Sequence, residues 1–372
     1  MAAPLRVVIA PDSFKGSLDA ADVAEAIAAG WRSKRPDDVL ELMPLADGGE
    51  GTLDALGHGL PEECLRTATV SGPDGKPVQA RWLLRPDGTA VVELASAAGL
   101  PLLDELDPMG ATTRGVGELL RLAVEHPGTR RIMLGLGGSA TNDGGAGALV
   151  ALGARFLDAD GNDLPPGGGA LVRLARVDLS ELVPGPPEGV EYLVDVTSPL
   201  LGPHGAAAVF GPQKGATPQQ VEELDAALGR LAGILGVSGE EPGSGAAGGT
   251  SFGLLACWGG RMVSGSATVA AVAGLEAAVP GADLVITGEG RFDSQSVRGK
   301  VVGNVLTVAA PTPVAIVAGQ VAADPQPPAV AAVSLTELAG SARASMADPA
   351  RWLAAAGTAL AERLPEGLGA AR

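Results

Sequence analysis

The chain has 372 residues, enough for about two domains, and its content of 46% hydrophobic and 19% charged residues suits a folded protein. A formal net charge of −17 at pH 7 argues against nucleic acid or an anionic membrane surface as partner. It also requires any site for an anionic substrate to gather its cations locally. The apolar stretch in Met1–Ala10 is too short for a signal peptide, and Val301–Ala323 is broken by Gly303, Asn304, Pro311, Pro313 and Gly319, which rules out a membrane span. Cys64 and Cys257 show no CxxC spacing and read as buried thiols of a cytoplasmic protein. His58, His126 and His204 lie far apart without metal-ligand spacing.

In chain order, Arg6–Ala10 is a β-branched run ending in Pro11-Asp12-Ser13, and Asp19–Trp31 has helical periodicity. Leu40–Leu45 reads as a second strand, followed by a glycine-rich turn and a helix. Val70–Leu94 alternates about the turns Pro73-Asp74-Gly75 and Pro86-Asp87-Gly88, which predicts antiparallel hairpins. Arg131–Leu136 and Glu191–Val196 are further strands, while Pro165–Gly169, Pro184–Gly189 and Gly239–Gly249 read as loops. Asp283–Thr287, Pro313–Ala318 and Ala329–Leu335 resume the apolar β-branched texture, Gly288-Glu289-Gly290 reads as a loop, and a helix is predicted around Pro349–Leu364. The five outer runs predict a parallel, doubly wound sheet at residues 1–56 plus 281–372. A second α/β domain with hairpins, residues 57–280, is inserted into it. Such sheets bind ligands beyond the carboxyl ends of their strands. The active site is therefore expected in the interdomain cleft, with the loops after Ala10, Leu45 and Thr287 at the sheet's edge.

The pattern Asp-Gly-Gly-x-Gly-x-Leu-x-Ala-Leu occurs twice, at Asp47–Leu56 and Asp143–Leu152. Each copy sets a carboxylate and a flexible turn before an apolar helical run, as an anion site at a helix start would; a plain capped helix is the alternative. Only five lysines occur, and four touch a glycine: Lys15, Lys76, Lys214 and Lys300. Lys76 belongs to an ordinary turn; the other three are candidate point charges for phosphate. Chemistry is expected in five loops: Asp12–Ser17, Gly137–Gly145, Asp195–Pro199, Phe210–Gly215 and Gly288–Ser296. No GxxxxGK[ST] loop is present, and the GxGxxG at Gly243–Gly248 follows Glu240-Glu241-Pro242 instead of a strand.

The segments APDSFKGSL, ADGGEGT, GLGGSATNDGGAGAL, DVTSPLLG, FGPQKGA and ITGEGRFDSQSVRGK resemble, in order, those of the bacterial type I glycerate kinases. The likeness runs from about Leu5 to beyond Ala318 and is poor after Gly319. Ser198 stands where the family commonly has Asn, Val302 where Pro is usual, and Ala267 near a frequent Glu. The resemblance implies a flavodoxin-like domain carrying the insertion. It also implies ATP- and Mg²⁺-dependent phosphorylation of D-glycerate, usually at the 2-hydroxyl to give 2-phosphoglycerate (glycerate 2-kinase). The 3-hydroxyl and another small hydroxy acid are the alternatives, and a non-catalytic small-anion-binding protein is a lesser one.

Phosphoryl transfer asks the protein mainly to position groups and neutralise charge. Asp12, Lys15, Asp195 and Arg291 are the candidate catalytic residues. Lys15 and Arg291 face the substrate carboxylate, and Asp12 or Asp195 is the general base. Gly137, Gly138, Ser139, Asn142, Lys214 and Lys300 are the candidates for nucleotide phosphates, and Ser13, Gly48, Gly49 and Glu289 for substrate. Asp47, Asp195 and Asp293 are the candidates for metal or metal-water contact. Exchanging the loops between ATP and glycerate fits the sequence equally well, and it fits a monomer or a homodimer.

Overall fold

The computed structural model of the protein describes residues 4–294, 296, 300–323 and 329–363. Of the positions named above, Met1, Gln295, Gly299 and Leu364 lie outside the described residues. The chain divides into two compact units, one of Met1–Asp47, Asp54–His58 and Ser266–Arg372, the other of Gly48–Leu53 and Gly59–Gly265.

The first unit is built on a five-stranded, wholly parallel sheet. Its strand order is Ala329–Ser334, Val314–Val321, Leu284–Phe292, Arg6–Ile9, Val39–Leu42. Numbered within the unit, the order is 2-1-3-4-5, that of flavodoxin-like sheets, whose switch point lies between strands 1 and 3. Here those are Arg6–Ile9 and Leu284–Phe292, in register at Val7 with Leu284 and Ile9 with Ile286. The central strands are apolar and β-branched because both their faces are covered: Val7, Val8, Ile9, Val285 and Ile286 are fully buried.

The glycines of Gly288-Glu289-Gly290, expected to break the strand, continue it to Phe292. The ladder runs on through Gly288 to Val317 and Glu289 to Ala318. A Cβ at Gly288 would stand 2.2 Å from the Val317 carbonyl oxygen. The glycine thus marks a close backbone approach in place of a turn. Period-two alternation then sets Glu289 and Arg291 on one face, with Phe292 buried on the other.

Helices Ala20–Arg32, capped by Asp19 (accepting from Asp22 N at 2.8 Å), and Pro349–Arg363 pack together in this unit. Contact is close because neither has a side chain at the crossing: a Cβ at Gly30 would stand 1.8 Å from Ala354 O, one at Gly357 2.2 Å from Ile27 O.

The second unit holds a mixed six-stranded sheet, in the order Arg261–Val263, Val190–Leu193, Arg131–Gly135, Thr89–Glu93, Pro77–Leu84, Leu65–Ser71. The last two junctions are antiparallel, as the hairpin turns predict, and the rest parallel. Helix Pro218–Leu235, packed in this unit against Gly168–Arg173 and helix Ala206–Phe210, is started by a Thr217–Gln220 capping box and stopped by Gly236 in the left-handed region. Among the described residues no helix is long and apolar enough to cross a membrane.

Gly30→Ala should lower the urea midpoint by the equivalent of at least about 2 kcal/mol, since backbone on both sides cannot yield. An unchanged midpoint would show that the two helices can part at no cost.

Candidate active site

At the switch point of the first unit, the backbone ladder outlasts the strands. Ala10 N donates to Ile286 O at 2.7 Å, Asp12 N to Gly288 O at 2.8 Å, and Leu45 N to Pro11 O at 2.9 Å. Buried Thr287 adds its hydroxyl to Ala10 O at 2.8 Å. Asp12 is thereby fixed beside the strand that carries Glu289. The chain next makes a tight turn closed by Phe14 N to Leu18 O at 2.9 Å, with Gly16 at φ +77°, so that Lys15 sits near its tip.

These elements enclose a cavity of about 380 Å³ whose charged lining is Asp12, Lys15, Asp47, Glu289, Arg291 and Lys300. Ser13 also lines it. The volume is at the lower end of the range for small-molecule sites. Lys15 Nζ lies 3.3 Å from Asp47 Oδ2, and Asp12 Oδ1 accepts from Ser13 N at 2.7 Å. Burial first, then the neighbouring Asp47 carboxylate, pushes Asp12 up to about 7, against the pull of Lys15 and the Ser13 amide. Burial likewise raises Glu289, against Ser296 and Lys300; among the described residues its buried Oε1 has no hydrogen-bond partner. Asp293 belongs to this unit too, 3.4 Å from Arg291, but does not line the cavity.

The candidates of the second unit have a different character. The Lys214 side chain, expected as a cation offered on a turn, is almost wholly buried. Its Nζ donates to Thr141 O and, at 3.2 Å, to Asn142 Oδ1. Burial pushes this ammonium down to about 7. Asn142 is itself fully buried and spends its amide on Pro108 O at 3.1 Å. Ser139 Oγ accepts from Thr141 N at 3.0 Å. Lys214 and Asn142 therefore brace the Gly137–Asn142 loop from beneath; they do not present it with a free charge. Gly137 N donates to Gly48 O at 3.4 Å, and a Cβ at Gly137 would meet Gly49 Cα at 2.5 Å. Gly48 and Gly49 thus serve backbone packing within the unit. Gly138 is left-handed at φ +74°, with its carbonyl accepting from Leu100 N.

The repeated Asp-Gly-Gly pattern also divides. Asp47 lines the cavity, but Asp143 is wholly buried and accepts from Thr113 N, Gly145 N and Gly147 N at 2.8, 3.0 and 3.2 Å. The second copy is a buried structural carboxylate before helix Ala146–Ala151, whose N-cap is Gly145 in the left-handed region. Asp195 Oδ1 accepts from Ser264 Oγ at 2.9 Å and from Gly265 N, at the start of helix Gly265–Ala273, at 2.8 Å. Among the described residues no group of three or more His, Cys, Asp and Glu is arranged to hold a metal.

One residue escaped sequence reasoning. Glu93, buried at the end of Thr89–Glu93, accepts from Leu53 N at 2.6 Å and so anchors the helix after the first Asp-Gly-Gly turn. Its signal was an acid closing an otherwise apolar strand. The GxGxxG at Gly243–Gly248 is packing: a Cβ at Gly248 would lie 2.0 Å from Thr141 O.

Comparison with known proteins gives one consistent result. Residues 7–365 match the glycerate kinase family, past Gly319, where the motif likeness is poor. The chain is 45% identical over 314 residues to glycerate 2-kinase of Escherichia coli K12, covering 82% of each. It is 45% identical over 305 residues to glycerate kinase of Bacillus subtilis 168, covering 80% of this chain and 79% of that one. A crystal structure of a Salmonella typhimurium LT2 protein assigned as glycerate kinase 2 superposes with a TM-score of 0.81 at 39% identity, over 97% of this chain and 98% of that one.

Asp12 holds its proton more tightly folded than unfolded, so the stability it lends below pH 4 is lost as pH rises to about 7. Asp12→Asn should therefore be more stable than the parent at pH 8, by on the order of a few kcal/mol at about 1.4 kcal/mol per pH unit. The difference should close toward pH 4 in urea titrations; a gap that does not vary with pH would contradict the assignment of that proton.

Proposed function

The chain belongs to the glycerate kinase family, and from that premise we propose that it transfers the γ-phosphoryl group of ATP to the 2-hydroxyl of D-glycerate, giving 2-phosphoglycerate. Members are kinases, phosphotransferases with an alcohol group as acceptor. The observation that carries the proposal is the cavity at the switch point, where a near-neutral buried acid meets three cations. A small hydroxy acid needs both.

In the proposed reaction the glycerate carboxylate lies against Lys15 and Arg291, with Ser13 beside it. Asp12 accepts the hydroxyl proton as the oxygen attacks the γ-phosphorus, the bond to the β-bridging oxygen breaks, and ADP leaves. A base with a pKa near 7 is well matched to this work, which favours Asp12 over Asp195. Lys300 neutralises phosphoryl oxygens. ATP is taken as its magnesium complex, the metal being part of the substrate. Asp47, lining the cavity, is the carboxylate we assign to the ion or its waters, with Asp195 and Asp293 secondary. The flavodoxin-like domain expected at 1–56 plus 281–372 would bring glycerate. The inserted domain expected at 57–280 would bring the nucleotide, on the Gly137–Asn142 loop braced by Lys214. A cytoplasmic location goes with ATP use and free thiols.

Phosphorus NMR of the product from D-glycerate and ATP decides the regiochemistry. The 2-phosphate couples to one proton and gives a doublet; a triplet would mean the 3-hydroxyl, and no new signal would remove the proposal. Turnover should rise with pH and level off above about 7, because the base must be ionised. Asp12→Asn should lose that rise together with about 10²–10⁴ of kcat. Lys15→Ala should cost about 10²–10³. An Asp195→Ala variant more damaged than Asp12→Asn, with the pH rise intact, would hand the base role to Asp195.

A further inference from the structure

Glycerate has two hydroxyls, and the cavity holds two carboxyl groups that are more than nine-tenths buried. Asp12 is 9% exposed and Glu289 8%. Glu289 projects from a paired strand position, in register with Ala318, which limits its freedom to swing away. Among the described residues its Oε1 has no hydrogen-bond partner, although it is shielded from solvent. An unmatched buried acceptor costs about 1–3 kcal/mol and persists in native sites where something else completes it. The completing group must be a donor. A substrate carboxylate is excluded, since it would set like charges together, and Lys15, Arg291 and Lys300 line the same cavity to receive it. What remains on the substrate is its second hydroxyl.

We infer that Glu289 is the specificity-determining residue that accepts a hydrogen bond from the non-reacting hydroxyl of glycerate, so that the enzyme selects dihydroxy over monohydroxy acids. The inference rests on the proposed glycerate reaction and adds a division of labour: Asp12 serves the reacting hydroxyl and Glu289 the other. A site built around a substrate hydroxyl rejects the analogue lacking it by large factors, about 10⁴–10⁵ in favourable cases, because its own polar group is left unpaired.

The test compares kcat/KM for D-glycerate with that for D-lactate, which keeps the 2-hydroxyl and lacks the 3-hydroxyl. If the product proves to be the 3-phosphate, 3-hydroxypropionate takes the place of lactate. The parent enzyme should favour glycerate by at least about 10³. Glu289→Ala should bring that ratio to within about tenfold by losing glycerate turnover while sparing lactate. Glu289→Asp, which withdraws the carboxylate by one methylene, should lower the ratio at least about tenfold. Glu289→Gln, which retains an acceptor, should preserve most of it. Should the alanine variant fail to fold, the aspartate variant carries the comparison. A parent ratio near one, or variants that slow both acids equally, would overturn the inference while leaving glycerate phosphorylation standing. Absence of glycerate turnover in the parent would strike the underlying proposal instead.

Discussion

Asp12 and Glu289 are brought to the same cavity by main-chain hydrogen bonding alone. The amide of Asp12 donates to Gly288 O, one residue before Glu289, and the alternation of a parallel ladder does the rest. Two carboxyls put into a buried space resist it, and the resistance is visible in the upward displacement of both. The stability lost there is supplied by the sheet beneath, whose central residues are fully buried on both faces. A ladder cannot relax one side chain at a time, so the acids stay where solvation would not leave them.

The second unit spends its polar groups differently. Lys214, Asn142 and Asp143 are all buried and all hydrogen-bonded within the unit, so the Gly137–Asn142 loop is stiffened from within. Left-handed Ala247 (φ 52°), Gly248 and Gly249 lie at the start of the helix that packs on it. In the proposed reaction such a loop would meet a ligand through its backbone, because its side chains are already engaged.

The sheet of the first unit was legible because parallel strands covered on both faces are written as short β-branched runs, and all five appear within a few residues of their predicted positions. The hairpins were legible from Pro-Asp-Gly turns. Leu284–Phe292 was cut short because glycine looks alike whether it turns a chain or admits a neighbouring strand. Within the site, lysine beside glycine located Lys15 and Lys300 on the cavity but gave no sign that Lys214 is buried. The two Asp-Gly-Gly copies are the sharpest instance. Identical spacing sets one carboxylate in a cavity and the other under a helix, and the partner that marks the second copy, Thr113, is remote in sequence and brought in by folding.

The charge of the chain as a whole misleads about the charge of the site. A protein at −17 repels glycerate and ATP at long range, yet the cavity lining carries three cations against three carboxyls. Because burial pushes Asp12 up to about 7, its carboxyl opposes those cations less near neutral pH than a solvent-exposed acid would. In the proposed reaction a glycerate carboxylate entering this cavity would take up part of the positive charge of Lys15 that lowers Asp12, and so would strengthen the base. Two of the cations are lysines, compact charges on flexible stems that can follow a phosphoryl group, and the third is an arginine whose fork suits a carboxylate. An acidic protein can thus keep its surface repulsive to nucleic acid and membranes while a recess lined by Lys15, Arg291 and Lys300 stays attractive to small anions.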